Sequence, residues 1–360
     1  MSIFHPIEVP IYMTATFQNP LPSGESSVSD RGKELKYSRE ENPTVRELEH
    51  EIARLDGFKD CLAFNSGMAA ISTLLLANRR RRIVVNIDSY SATVSLALSL
   101  RELGFDVELR GTDELSSIPQ GSLVLTESIT NPMLRVPDLH ALSEICRDSN
   151  SSLAVDNTLA TPVLLRPAHL SQYSVQSTTK YISGTNDVFG GVISGDDLSE
   201  LWEWRRRLGN IMDPLRAFMT SRGLITLELR VRRHSENAIM IARWLQDHER
   251  VEEVIYPGLE SHRDHMIARR LFGNLFGGVI SFRIRGDARR FLINLRRVRP
   301  ATSFGAYRSL ATIPRASIAS NLPPDLVERM GIDEKLVRLS VGLEDPEVLM
   351  EDLDAALRSS

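Results

Sequence analysis

The chain has 360 residues, 42% hydrophobic and 25% charged, with a net charge of −4. That length holds a large core and predicts two domains, and the near-balanced charge argues against nucleic acid as a main partner. No apolar run approaches the ~20 residues needed to cross a bilayer, and two cysteines make no disulfide framework, so a cytoplasmic protein without a membrane partner is expected.

Residues 1–45 read as an extended arm. The start at Met1 lacks the basic and apolar stretches of a signal peptide, prolines and glycines recur, and polar residues cluster from Ser23 to Arg31. A helix is predicted from Thr44, with Val45, Leu48, Ile52 and Leu55 on one face. From Cys61 to about Gly195, short apolar runs at 61–64, 83–85, 107–109, 123–125 and 153–155 alternate with helical patterns such as 69–76 and 91–103. That alternation predicts an α/β domain over 46–234, a mostly parallel sheet covered by helices. The basic run Arg79–Arg82 reads as a solvated helix end. Cys61 and Cys146 read as core packing.

A helix over 235–245 leads into a smaller α+β domain, 235–360. There Ile280, Phe282 and Ile284 alternate with Ser281, Arg283 and Arg285, as in a half-buried strand. The run 337–341 turns Arg338 and Ser340 away from its aliphatic residues. Asp345 and Pro346 mark the start of a closing helix.

Ligands of parallel α/β sheets bind beyond the carboxyl ends of the strands. Five segments carry polar chemistry to that rim: Ser66-Gly67-Met68, Asp88-Ser89-Tyr90, Glu127 with Asn131, Asp156, and Ser177-Thr178-Thr179-Lys180. Lys180 is one of five lysines among 38 arginines and is flanked by hydroxyls. An amine of lowered pKa attacks an aldehyde, while neighbouring hydroxyls hold a phosphate. Asp156 suits the pyridinium nitrogen of pyridoxal 5'-phosphate (PLP), and its alternative use is as a helix cap. Gly67 permits close backbone approach at a helix start that favours phosphate. Tyr90 is placed to stack on a flat ring, and Arg338 to clamp a carboxylate through its fork.

These segments resemble a known family. Tyr37-Ser38-Arg39-Glu40-Glu41-Asn42-Pro43-Thr44 is similar to the YSRxxNPT arm motif of the Cys/Met-metabolism PLP-dependent enzymes, the cystathionine γ-synthase/γ-lyase-like group of fold-type-I enzymes. The likeness continues through Glu127-Ser-Ile-Thr-Asn131-Pro132, Asp156-Asn157-Thr158, Ser177-Thr-Thr-Lys180-Tyr181 and Arg338-Leu-Ser-Val-Gly-Leu-Glu-Asp345. It implies the fold-type-I PLP-dependent transferase fold, with Lys180 as the Schiff-base lysine and proton carrier. It further implies that Asp156 pairs with the ring nitrogen, that Thr158 is among the cofactor-binding residues, that Tyr90 stacks on the ring, and that Gly67, Met68, Ser177 and Thr179 hold the phosphate. Tyr37 and Arg39 would reach a neighbouring subunit's phosphate, which implies a homo-oligomer, a tetramer built from dimers. Asn131, Ser303 and Arg338 would hold the α-carboxylate of an amino-acid substrate.

The implied activity is γ-elimination or γ-replacement on sulfur amino acids or activated homoserines. A cystathionine β-lyase, an O-acylhomoserine sulfhydrylase and a catalytically silent PLP-binding protein are the alternatives. Three departures bear on the choice. Tyr90-Ser91-Ala92-Thr93 replaces the common YGGT, with Ala92 where methionine γ-lyases carry cysteine, and no histidine follows Gly184. In Ser303-Phe304-Gly305-Ala306-Tyr307-Arg308, an arginine takes the place of a glutamate that can contact a distal amino group. Arg308 would repel an ammonium there and favour an anionic or neutral end, and Phe304 and Tyr307 resemble the aromatic loop of β-lyases.

Overall fold

The computed structural model describes residues 7–18 and 28–360; Met1 and most of the polar cluster from Ser23 lie outside the described residues. The first sheet contains β1 (Asp60–Phe64), β2 (Ile83–Asn86), β3 (Val107–Arg110), β4 (Leu123–Glu127), β5 (Ser152–Asp156), β6 (Tyr173–Gln176) and β7 (Gly191–Gly195). Their order is β1-β7-β6-β5-β4-β2-β3. Neighbours from β6 to β3 pair in parallel, whereas β7 runs antiparallel to both β1 and β6. Strands β2 and β4 are buried along their whole length, as expected where helices cover both faces.

The covering helices are α1 (Pro43–Asp56), α2 (Gly67–Ala77), α3 (Ser91–Glu102), α4 (Leu139–Asp148), the single turn α5 (Thr161–Leu164), α6 (Ser199–Leu208), α7 (Pro214–Leu224) and α8 (Leu227–Gln246). Helix α1 starts where Asn42 accepts from the Thr44 amide and ends at left-handed Gly57. Its Val45, Leu48 and Ile52 are fully buried, each contributing roughly 1.5–3 kcal/mol by leaving water. Helix α8 begins at Leu227 rather than Ser235, so the expected boundary at 234/235 falls inside it.

A second sheet is built from β8 (Val251–Ile255), β9 (Val279–Ile284), β10 (Arg299–Pro300), β11 (Leu310–Thr312) and β12 (Leu336–Ser340), in the order β10-β11-β12-β9-β8. Helices α9 (His265–Phe272), α10 (Ala288–Asn294), α11 (Pro324–Arg329) and α12 (Pro346–Arg358) accompany it. Strand β9 is less exposed than its alternation suggests. Ser281 is fully buried because its hydroxyl donates to the Pro132 carbonyl of the first unit at 2.6 Å. Tyr181 adds another link, its hydroxyl accepting from the Gly278 amide at 3.0 Å.

Two expectations about arginines change. In the run 79–82, Arg81 turns inward and donates to the carbonyls of Gly121 and Ser122 and to Ser152 Oγ, while Arg79, Arg80 and Arg82 stay exposed. Arg31, read as the end of a polar cluster in an extended arm, is instead the centre of a nearly dry ion cluster. It donates to Glu41 at 2.7 Å, Glu49 at 2.8 Å and Asp60 at 3.0 Å, and Glu49 also pairs with buried Arg205 of α6. Cys61 and Cys146 are both free and buried, as expected.

Candidate active site

The strand ends of the first sheet and residues of the second unit line a cavity of about 260 Å³. Of the residues picked out from sequence, Gly67, Met68, Tyr90, Asn131, Asp156, Thr158, Ser177, Thr179, Lys180 and Arg338 all face it. Ser303 joins through a hydrogen bond described below. Tyr37 and Arg39 lie outside this lining. Both are exposed, with the Arg39 guanidinium 5.2 Å from the Tyr37 ring and donating to the Arg206 carbonyl at 3.0 Å.

At one end, Ser66 caps α2 by accepting from the Ala69 amide at 3.0 Å. The first amides of that helix then have no partner within it, a ready site for an anion. Gly67 is required by contact: a β-carbon there would lie 2.9 Å from Ser177 Cβ. The helix start therefore presses against the 177–180 turn. The Ser177 amide donates to Thr158 Oγ1 at 2.8 Å. The Thr179 hydroxyl, expected to be free for phosphate, is tied to the Gly190 main chain on both sides, at 3.1 and 3.2 Å.

The charges of the cavity are unbalanced locally. Asp156 ends β5, and only Thr158 bonds its carboxylate, through both amide and hydroxyl. Among the described residues no cation pairs with it, and burial raises its pKa to about 6. Arg338, on β12, has the opposite problem. Its guanidinium is 2% exposed and donates to Asn131 Oδ1 at 3.0 Å, to the Ser303 carbonyl at 3.2 Å and to the Thr302 carbonyl. No carboxylate partners it among the described residues, its Nε is unbonded, and burial lowers its pKa to about 10.

Between these groups, Lys180 Nζ donates to Ser303 Oγ at 3.0 Å and lies 4.9 Å from the Phe304 ring centre. Burial, then the Arg338 charge, lowers its pKa to about 8. The cavity thus offers, among the described residues, an unpaired carboxylate, an unpaired guanidinium and an amine whose pKa is lowered to about 8. A ligand carrying a phosphate, a protonated ring nitrogen and an aldehyde fits this donor set, and an amino-acid carboxylate fits the remaining cation.

Sequence reasoning placed Glu127 at the rim without a role. Its side chain is 6% exposed, faces the cavity, and accepts from the Tyr90 amide at 2.7 Å. Phe304 and Phe189 also line the cavity; the latter carried no signal in the sequence beyond its aromatic type. Arg308 departs from expectation. It is exposed, sits 5.2 Å from the Tyr307 ring and does not line this cavity, so the repulsion argued from sequence does not arise from its wall. Of the two loop aromatics only Phe304 reaches the site.

Buried lysine, strand-end aspartate and helix-start anion seat, disposed on a mostly parallel α/β sheet with a smaller second unit, are the arrangement of a fold-type-I PLP-dependent enzyme. Over residues 3–358 the chain matches the family described as Cys/Met metabolism PLP-dependent enzyme, and it belongs to that family. It is 37% identical to cystathionine gamma-lyase of Mus musculus, covering 98% of this chain and 91% of that protein. It is 35% identical to cystathionine beta-lyase of Lactococcus lactis subsp. cremoris, over 98% of this chain and 94% of that one. The crystal structure of cystathionine gamma synthase from Xanthomonas oryzae pv. oryzae in complex with cystathionine superposes with a TM-score of 0.91 at 32% identity, covering 97% of this chain and 92% of that chain. The chain is a PLP-dependent lyase or transferase of sulfur amino-acid metabolism.

Proposed function

We propose that the protein cleaves or exchanges the Cγ substituent of a sulfur amino acid or an activated homoserine, with cystathionine as the leading substrate. The observation that carries this reading is the pair of unmatched charges around Lys180, Asp156 from one sheet and Arg338 from the other. A PLP ring and an amino-acid carboxylate would complete them. Gly67, Met68 and Ser177 would hold the phosphate, with Thr179 positioned through Gly190. Asp156, oriented by Thr158, would keep the ring nitrogen protonated, and Tyr90 would cover the ring. Asn131, Ser303 and Arg338 would fix the substrate α-carboxylate.

Bound PLP supplies the electron sink that lets a proton leave Cα. Lys180 is the base suited to take that proton, because burial brings its amine pKa down to about 8 and it hangs on a single hydroxyl, Ser303 Oγ. For γ chemistry the same amine would also carry a proton at Cβ. The dry wall made by Phe304 and Ile129 limits water near these transfers. Tyr37 and Arg39 would serve the phosphate of a neighbouring subunit, so that the working unit is a dimer and the assembly a tetramer. The arm 1–45, a large unit 46–234 and a smaller unit 235–360 would be its functional divisions, with a cytoplasmic location.

The test is to incubate the PLP-loaded protein with L-cystathionine and identify the products. 2-Oxobutyrate with cysteine is the expected result. Pyruvate with homocysteine would transfer the protein to the β-lyase reading, which the likeness to the Lactococcus enzyme and the inward Phe304 favour as the second choice. Release of neither keto acid, with sulfide incorporated into an O-acylhomoserine, would make it a sulfhydrylase. No turnover of any of these would leave a silent PLP-binding protein.

A further inference from the structure

Glu127 ends β4 in direct register with Asp156, which ends β5, so two carboxyl groups occupy neighbouring strand ends at one cavity. Glu127 Oε1 accepts from the Tyr90 amide; Oε2 is buried and makes no full hydrogen bond among the described residues, with the Asn131 main chain its nearest donor. Tyr90 needs that bond. It is the residue that caps α3, and its own side chain makes no capping contact. The bond therefore anchors the main chain that carries the ring over the cavity, and it runs from the strand end beside the ring-nitrogen aspartate. Other ionisable groups facing Glu127 are Asp156 on β5 and Asp88 just before α3, with Lys180 and Arg338 elsewhere on the cavity wall. None forms an ion pair with it among the described residues. Two ionised carboxylates side by side in a dry site repel strongly.

We propose that Glu127 is a positioning residue for the PLP site: as an uncharged acid beside ionised Asp156, it fixes the Tyr90 main chain and so the ring that covers the cofactor. This rests on the PLP-site reading above. Burial, and then the Asp156 charge, push the Glu127 carboxyl well above its ordinary range, in the direction the geometry requires. The pair then carries one negative charge, located where a ring nitrogen sits.

The test measures PLP affinity by fluorescence titration of cofactor-free protein, without turnover. Glu127→Ala removes the acceptor and is expected to weaken PLP binding about tenfold, the worth of one buried hydrogen bond. Glu127→Gln keeps a neutral acceptor and should recover most of that loss. The double variant Glu127→Ala/Tyr90→Ala should bind PLP no worse than Tyr90→Ala alone, because Glu127 acts through Tyr90. Infrared spectra of the cofactor-free protein at neutral pH should contain a protonated-carboxyl band that Glu127→Gln lacks. Additive losses, a glutamine variant as weak as alanine, or no such band would each overturn the proposal. Wild-type protein that takes up PLP while Glu127→Ala binds equally well would overturn it alone; wild-type protein that takes up none would overturn the site reading with it.

Discussion

Lys180 shows how far a residue's chemistry is set by its surroundings. An exposed lysine amine is protonated at neutral pH. Here burial and the Arg338 guanidinium bring its pKa to about 8, and among the described residues no carboxylate forms an ion pair with it. Below that pH the free-amine fraction falls about tenfold per unit. The cofactor-free protein should therefore capture PLP faster as pH rises towards 8 and level off above it, which stopped-flow absorbance would follow. A capture rate still climbing steeply at pH 10 would mean that the amine is not depressed. Lys180, Asp156 and Arg338 were picked out in the sequence by their strand contexts and the motifs around them, and all three face the cavity. Glu127 was not assigned a role, since its bond to Tyr90 joins a strand end to a helix start 37 residues away.

The elements were legible where the hydrophobic pattern was local. Strands β2 and β4 and helices α1 and α3 follow from apolar spacing. Strand β7 did not, because Gly191-Val-Ile-Ser-Gly195 is short and bounded by glycines, and its pairing is antiparallel within a parallel pattern. The ion cluster at Arg31 was hidden too, its partners coming from α1, β1 and α6. One buried acid among these elements has a measurable consequence. Asp56, the last residue of α1, accepts from Gln176 on β6 at 2.8 Å and from Ser194 on β7 at 2.7 Å, with no cation bonded to it. Burial raises its pKa from 3.8 to about 7. An aspartate whose folded pKa is raised lends stability that is fully present below its unfolded pKa and lost as pH rises through the folded one. Denaturation midpoints should thus fall between about pH 4 and 7, by up to ~4 kcal/mol in free energy, relative to Asp56→Asn. An asparagine variant with the same slope would remove Asp56 as the cause.

At the scale of the whole molecule, the two units meet around Arg338, whose fork joins β12 to Asn131 of the first. Large apolar side chains stand exposed on the loop before β7 and at the junction of α7 and α8: Phe189 is 64% exposed, Ile225 74% and Leu229 71%. Tyr37 and Arg39 are exposed as well. If those residues complete a neighbour's site, Arg39→Ala and Lys180→Ala proteins should each be inactive. After mixing through a dissociated state, about a quarter of the sites should regain function, those with intact residues from both parents, by the statistics of shared two-chain sites. Failure to recover any activity from hybrids verified by mass would place the arm within its own subunit's chemistry.

The loop from Ser303 to Ser309 has a further implication, for how such an enzyme can change. Gly305 is held at φ +79 with its α-carbon against Tyr181, where a β-carbon would lie 2.8 Å from that residue's amide, and Ser309 is bonded to Glu344. Mutation at either anchor would disturb the residue next to Lys180 or the turn after β12. The side chains of Tyr307 and Arg308 are exposed, although the Tyr307 main chain is held between the Gly184 carbonyl and the Leu343 amide. Evolutionary drift therefore has its widest latitude in those two side chains, which can vary while the catalytic interior stays intact.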